Sequence, residues 1–215
     1  MSTDTETAAP ETAAALPSLN FQLLGNWERL DLTTEESMAS SIREYVDRRI
    51  GTADDAAQTR SLLRARLGEA LTKARAAGGV TTFISTEIAP GTPMPVMLTI
   101  YSPQNLRMTP AIGTGKEAVG AMLKRGLTQL AIEGVEEATS LSIEDSEILR
   151  IVREQVDPIH PDAPNQELTS LIVDYWYSVP GSKHVVLANF ATPLADIPAV
   201  MLSYFDATVR ASYFA

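Results

Sequence analysis

Carboxylates are the side chains of this sequence whose placement could support acid–base chemistry. Two pairs are adjacent in the chain, Glu136–Glu137 and Glu144–Asp145. Neighbouring side chains on a strand point to opposite faces, so neither pair brings its two carboxylates together on a strand. These four residues therefore do not predict an acid–base pair.

A fifth carboxylate, Asp174, lies inside a stretch rich in aromatic and β-branched residues. The alternation of a strand puts Asp174 on the same face as Ile172 and Trp176. A carboxylate buried on that face requires a partner. We expect an arginine from the helical region as that partner, and a structural rather than a catalytic role for Asp174.

The other reactive residue types give no catalytic signature. The two histidines, His160 and His184, are far apart in the chain, and there is no cysteine. A phosphate-binding loop is not expected before Lys116, because Glu117 stands where such loops have serine or threonine. The sequence contains no G-x-S-x-G and no H-E-x-x-H motif. We expect no enzymatic activity, no metal and no cofactor.

Basic side chains concentrate in one region. Residues 43–75 hold eight of the seventeen lysines and arginines, whereas residues 126–149 hold six acids and no base. Arg60, Arg64 and Arg66 must point largely toward water if the leucines of their helix face the core. We predict that these three arginines bind an acidic partner. The alternative is that they cover the acidic stretch of the same molecule.

The overall charge and composition exclude several classes of function. A net charge of −10 opposes binding to nucleic acid, which requires a cationic surface. The chain shows no signal peptide and no apolar run long enough to cross a membrane. The absence of cysteine agrees with a reducing compartment. We therefore expect a soluble cytoplasmic protein with a protein partner, and a homo-oligomer remains open.

Apolar spacing and capping residues predict the domain and its helices. Residues 1–18 are expected to be a disordered acidic tail, because they hold almost no large apolar side chain, and residues 19–215 are expected to form one domain. Four helices are predicted: from Thr33 or Thr34 to Gly51, from a capping box at Thr52 and Asp55 to Ala77, from Lys116 to Leu130, and from a cap at Asp196 to near the end of the chain.

The clearest strand is Leu168–Val179, whose odd-numbered residues from Leu171 are all apolar. A turn at Val179–Ser182 and a return strand, Val185–Ala191, follow it. Further strands are predicted at residues 20–32, 80–88, 96–101, 135–143 and 147–155, with proline-rich loops at 89–95 and 157–165. Because hairpin-type strands are separated from helices in the chain, we predict an α+β fold: an antiparallel sheet of about six or seven strands flanked by helices.

Several short blocks resemble a known superfamily. They are Trp27–Leu30, Asp174–Ser182, and Phe190–Pro193 followed by Phe205–Asp206. These blocks resemble uncharacterised actinobacterial proteins that are similar in layout to the Mog1/PsbP/DcrB-like superfamily. The resemblance implies an antiparallel sheet flanked by helices, and it implies binding as an adaptor or accessory subunit without shared catalytic residues.

Two hypotheses on function follow. The first is a non-enzymatic protein-binding or accessory module, which the missing catalytic constellation favours. The alternative is a small-molecule-binding protein, or an enzyme of unrecognised type, with a pocket between sheet and helices. A polar cluster in a pocket would favour the alternative, and a broad apolar or charged surface patch would favour the first.

Overall fold

A seven-stranded antiparallel sheet forms the centre of the fold. The computed structural model describes residues 17–103, 106, 113–160 and 163–215. The strands are β1 (Leu19–Asn20), β2 (Asn26–Asp31), β3 (Gly79–Ala89), β4 (Thr92–Tyr101), β5 (Thr139–Ile143), β6 (Ser146–His160), β7 (Ala163–Ser178), β8 (Val185–Thr192) and β9 (Tyr213–Phe214). The large sheet has the order β2-β3-β4-β8-β7-β6-β5, and β1 pairs with β9 separately. The predicted α+β class with an antiparallel sheet is confirmed.

Four helices flank the sheet. They are α1 (Glu35–Ile50), α2 (Ala57–Ala76), α3 (Lys116–Gln129) and α4 (Pro198–Arg210). The hydroxyl of Thr34 caps α1 by accepting a hydrogen bond from the Ser37 amide at 3.0 Å, and Gly51 ends the helix with a φ of 79°. Among the described residues, no helix combines the length and the apolar character that a membrane span requires.

The helices divide between the two faces of the sheet. On one face α4 buries Met201, Phe205 and Val209 in the largest cluster of core residues, together with side chains of β4, β7 and β8. On the opposite face α1 and α2 cover the end of the sheet formed by β2 and β3. The third helix covers β6 and β7 on that same face. The two helical layers therefore stand on either side of the central strands.

The strand predicted at 168–179 is confirmed, although β7 begins five residues earlier, at Ala163. Its odd-numbered side chains from Leu171 to Val179 are all buried. The turn that follows is also confirmed, because the Ser182 amide donates to the Val179 carbonyl at 3.2 Å and Gly181 has a φ of 62°. The alternation of apolar residues was sufficient to predict this strand, because β7 has one face that is buried continuously from Leu171 onward.

Two predicted proline-rich loops are wrong. Only Pro90 and Gly91 separate β3 from β4, so Pro93 and Pro95 lie within a strand. This part of β4 pairs with β3 alone, because its pairing with β8 begins at Met97. A strand that is paired on one side tolerates proline, since the missing N–H can face the unpaired side.

The second of these loops, at 157–165, is also mostly strand. β6 continues to His160 and β7 starts at Ala163, and Pro158 pairs with Glu167. Residues 161 and 162 lie outside the described part of the chain. Because β8 pairs with β7 only from Leu171 onward, the two long strands continue as a two-stranded ribbon beyond the rest of the sheet.

The predicted starts of two helices need correction. Thr52 and Asp55 do not cap α2, which follows a short 3-10 turn at Asp54–Ala56 and has no side-chain cap. Asp196 does not cap α4 either, because the capping position is Ile197, whose side chain is 45% exposed rather than buried. Pro198 supplies a favourable φ at the start of α4 and has no N–H of its own that needs a cap.

The described chain begins close to its C-terminal end. The Ser18 amide donates to the Ala215 carbonyl at 2.7 Å, and the Ala215 amide donates to the Ser18 carbonyl at 3.0 Å. Ser18, the last residue of the predicted tail, is thus bonded to the domain. Residues 1–16 lie outside the described residues, so the disorder of the tail stays a prediction.

Candidate functional site

A cleft lies on the face of the sheet opposite α4, beside the C-terminal end of α2. Its volume is about 470 Å³. The residues that line it come mainly from the central strands and β6: Ala77, Tyr101, Pro103, Leu106, Arg153, Gln155, Ile172, Asp174, Trp176, Leu187 and Asn189. We call it the Asp174 cleft. The alternative function predicted from the sequence requires a pocket between sheet and helices, and the Asp174 cleft is the candidate for that pocket.

Strand register brings the polar residues of the Asp174 cleft together. Asn189 of β8 lies directly opposite Asp174 of β7, and Arg153 of β6 lies opposite Ile172. Asp174 Oδ1 accepts a hydrogen bond from Asn189 Nδ2 at 2.6 Å, and its Oδ2 accepts one from Arg153 Nη2 at 3.2 Å. Both carboxylate oxygens are therefore held by neighbouring strands.

Burial controls the ionisation of this cluster. The side chain of Asp174 is 9% exposed and that of Arg153 is 26% exposed. Burial raises the pKa of Asp174, while the hydrogen bond from Asn189 and the charge of Arg153 oppose that shift. Burial and the nearby Asp174 charge also raise the pKa of Tyr101, so its hydroxyl stays protonated at neutral pH. The cleft thus presents a carboxyl group and a phenol hydroxyl whose pKa values are both raised, chiefly by burial.

The prediction for Asp174 is partly confirmed. The residue is buried and an arginine pairs with it, as expected. The prediction that this arginine comes from the helical region is wrong, because Arg153 belongs to the adjacent strand β6. Arg153 is a diagonal cross-strand neighbour of Asp174, and this contact follows from the register of β6 against β7, which the sequence alone does not give.

Apolar side chains form the rest of the Asp174 cleft. Ile172 is buried, and Leu187 and Trp176 are partly buried beside it. Trp176 also packs against the cluster under α3. Its Nε1 is buried without a hydrogen-bond partner in the described part of the chain. The cleft therefore combines an apolar surface with the polar cluster around Asp174.

Two of the three candidate arginines contact α1 and the turn that follows it. Arg60 Nη1 donates to the carbonyl oxygens of Gly51 and Ala53, at 2.9 and 2.6 Å. Arg64 Nη2 pairs with Asp47 Oδ1 of α1. Arg66 is exposed. These hydrogen bonds hold α2 against α1, and binding of a partner by the arginines stays a prediction.

The two histidines do not meet in a common site. His184 lines a second cavity, of about 570 Å³, between the Pro17–Phe21 segment and the sheet. The side chain of His160 lies outside the described residues. Within the part of the chain that is described, no three histidine or carboxylate side chains come close enough to hold a metal ion.

Comparisons with protein-family models, with characterised proteins and with solved structures found no match. The resemblance to the Mog1/PsbP/DcrB-like superfamily therefore stays a prediction. Inference about function rests on the geometry of the molecule itself.

Proposed function

We propose that this chain is a non-enzymatic binding protein and that the Asp174 cleft holds a small molecule. The observation that carries the proposal is the polar cluster of Arg153, Asp174 and Asn189 beside the apolar surface of the cleft. A pocket of this size, mostly apolar with a few convergent polar groups, is typical of ligand sites. The sequence alone favours the other hypothesis, a protein-binding or accessory module.

The contacts of Asp174 support binding rather than catalysis. Both of its oxygens accept hydrogen bonds, from Asn189 and from Arg153. Hydrogen bonds to both oxygens fix the carboxylate in place, which suits a group that positions its neighbours around a ligand. Arg153 has further N–H groups beyond the one used on Asp174, and these can bind acceptor atoms of a ligand. We extend the proposal to a cytoplasmic location and to the absence of nucleic-acid partners, on the composition and net charge already given.

The two tryptophans provide the test. The indole N–H of Trp27 donates to the Leu24 carbonyl at 2.9 Å, away from the Asp174 cleft, whereas Trp176 lines it. We expect members of a fragment panel to shift the Trp176 indole resonance in ¹⁵N-labelled protein and to leave that of Trp27 unmoved. Leu187→Trp should abolish the shift by filling the cleft.

Leu168→Trp is the matched control for this experiment, because Leu168 is 43% exposed on the ribbon. It should leave the fragment shifts intact. A panel in which no fragment moves the Trp176 resonance at millimolar concentration contradicts the proposal. Shifts that persist in Leu187→Trp contradict it equally.

A protein-binding accessory module is the second candidate. The observation in its favour is the outer surface of α2, where Leu62 is 51% exposed and Arg66, one turn later, is also exposed. If a partner binds there, Leu62→Glu with Arg66→Glu should abolish its capture from a cell extract and leave the melting temperature unchanged. Arg75→Glu, on the same helix, is the control. Capture that survives the double change would exclude this surface.

A further inference from the structure

The two strands at the ends of the sheet differ in how their free edges are protected. Exposed edges of natural sheets are usually protected by charges, prolines or bulges. β2 has Glu28, Arg29 and Asp31, and its register shifts between Asn26 and Trp27. β5 has the sequence TSLSI, without charge or proline, and pairs with β6 in unbroken register.

The free edge of β5 is accessible. Thr139, Ser140 and Ser142 are exposed, while Leu141 and Ile143 pack against the core. β5 is the last strand in the sheet order, so its only strand partner among the described residues is β6. The backbone N–H and C=O groups on the other side of β5 can therefore pair with another strand.

Acidic residues flank this edge on both sides. Glu136 and Glu137 precede β5, and Glu144 and Asp145 form the turn after it. All four are exposed, and none forms an ion pair with another described residue. Lys116 Nζ donates to the Ile143 and Glu144 carbonyls at 3.1 and 2.9 Å, so one positive charge stands beside the two carboxylates of the turn. The edge is thus uncharged in its middle and has an excess of negative charge at both ends.

This charge distribution indicates which kind of strand can pair with the free edge of β5. A second copy of the chain, paired antiparallel about Leu141, would place Glu137 opposite Asp145 at each end. Like charges in opposing positions destabilise strand pairing. We propose instead that β5 binds an extended segment of a partner protein as an additional strand, and that this segment carries lysine or arginine at both ends. The proposal is independent of the Asp174 cleft.

Two short peptides test the proposal. The first is the capped peptide Lys-Thr-Val-Thr-Val-Thr-Lys, and the second has glutamate in place of both lysines. We expect the lysine peptide to shift the backbone amide resonances of Ser140 and Ser142, and not those of β2. The glutamate peptide should bind at least about tenfold more weakly, and added salt should weaken binding of the lysine peptide.

Ser142→Lys should reduce binding of the lysine peptide, because it adds a positive charge at the edge. Ser61→Lys, at an exposed position on α2, is the control and should bind as the wild type does. The proposal is overturned if β5 resonances do not move with the lysine peptide at millimolar concentration, or if both peptides bind equally. It is also overturned if the peptide binds β2, or if the chain dimerises through β5 without peptide.

Discussion

Replacing Phe205 with alanine should lower the free energy of unfolding by about 3–5 kcal/mol. The side chain of Phe205 is fully buried, and its ring stacks on that of Phe190 with centroids 4.6 Å apart. Alanine removes these contacts and leaves a cavity between α4 and the sheet. Denaturant titration of both proteins measures the loss, and an unchanged slope with denaturant would show that the folded state remains compact.

Val200→Ala is the control on the same helix, because Val200 is 62% exposed. Its effect should stay within about 0.5 kcal/mol. A loss below about 1 kcal/mol for Phe205→Ala would mean that α4 does not enclose this ring. The apolar face of α4 would then become a candidate partner-binding surface.

The face of α4 shows what sequence spacing can predict. The spacing of Ile197, Met201, Phe205, Thr208 and Ser212 predicts one buried face. Four of these residues are buried, whereas Ile197, at the capping position, is 45% exposed. Alternation in β7 was equally informative. Each of these elements has one face that packs against the core along most of its length. Apolar side chains therefore recur at the regular spacing of a helix or a strand.

The prediction of loops from proline is wrong where a strand is paired on one side only. Pro93 and Pro158 were assigned to loops, although both lie in strands. Whether a strand can contain a proline depends on whether it has a neighbouring strand on both sides at that position. The whole fold determines which strands pair. The sequence of one segment therefore does not show whether a proline in it lies in a strand or in a loop.

The Asp174 cleft was predictable only in part. Asp174 is a candidate because its carboxylate interrupts an apolar stretch. Asn189 interrupts the apolar stretch VVLANFA in the same way. Arg153 was not assigned to the cluster, since its contact with Asp174 depends on the register of β6 against β7. Polar residues inside two adjacent apolar strands are therefore the signal that could have linked Asp174 to Asn189.

Asp206→Asn should lower the free energy of unfolding by about 2–4 kcal/mol. Asp206 lies on α4, next to Phe205, and connects the helix to the sheet. Its Oδ2 accepts a hydrogen bond from Arg150 Nη1 at 2.5 Å, and its Oδ1 accepts one from the Tyr175 hydroxyl at 2.7 Å. The substitution removes the charge that balances Arg150, and the new amide group cannot accept both hydrogen bonds.

The loss should be large because Arg150 has little access to water. The side chains of Arg150 and Asp206 are 18% and 15% exposed. Arg150 Nε is also buried without a partner among the described residues. Without Asp206 the guanidinium keeps one hydrogen bond within the described part of the chain, to the Thr139 hydroxyl at 3.2 Å. An incompletely paired charge at this depth costs more than an exposed ion pair contributes.

Asp196→Asn is the matched control, because Asp196 is exposed just before α4, and we expect no measurable change. Tyr175→Phe should cost about 1 kcal/mol, because it removes one hydrogen bond and leaves the ion pair intact. The double change Arg150→Met with Asp206→Leu should recover part of the stability lost in Asp206→Asn, since it removes both charges together. If Asp206→Asn instead unfolds at the same denaturant concentration as the wild type, water must screen Arg150 well enough that the pair does not hold α4 on the sheet. Burial of Phe205 and its apolar neighbours would then be the main contact that holds α4 in place.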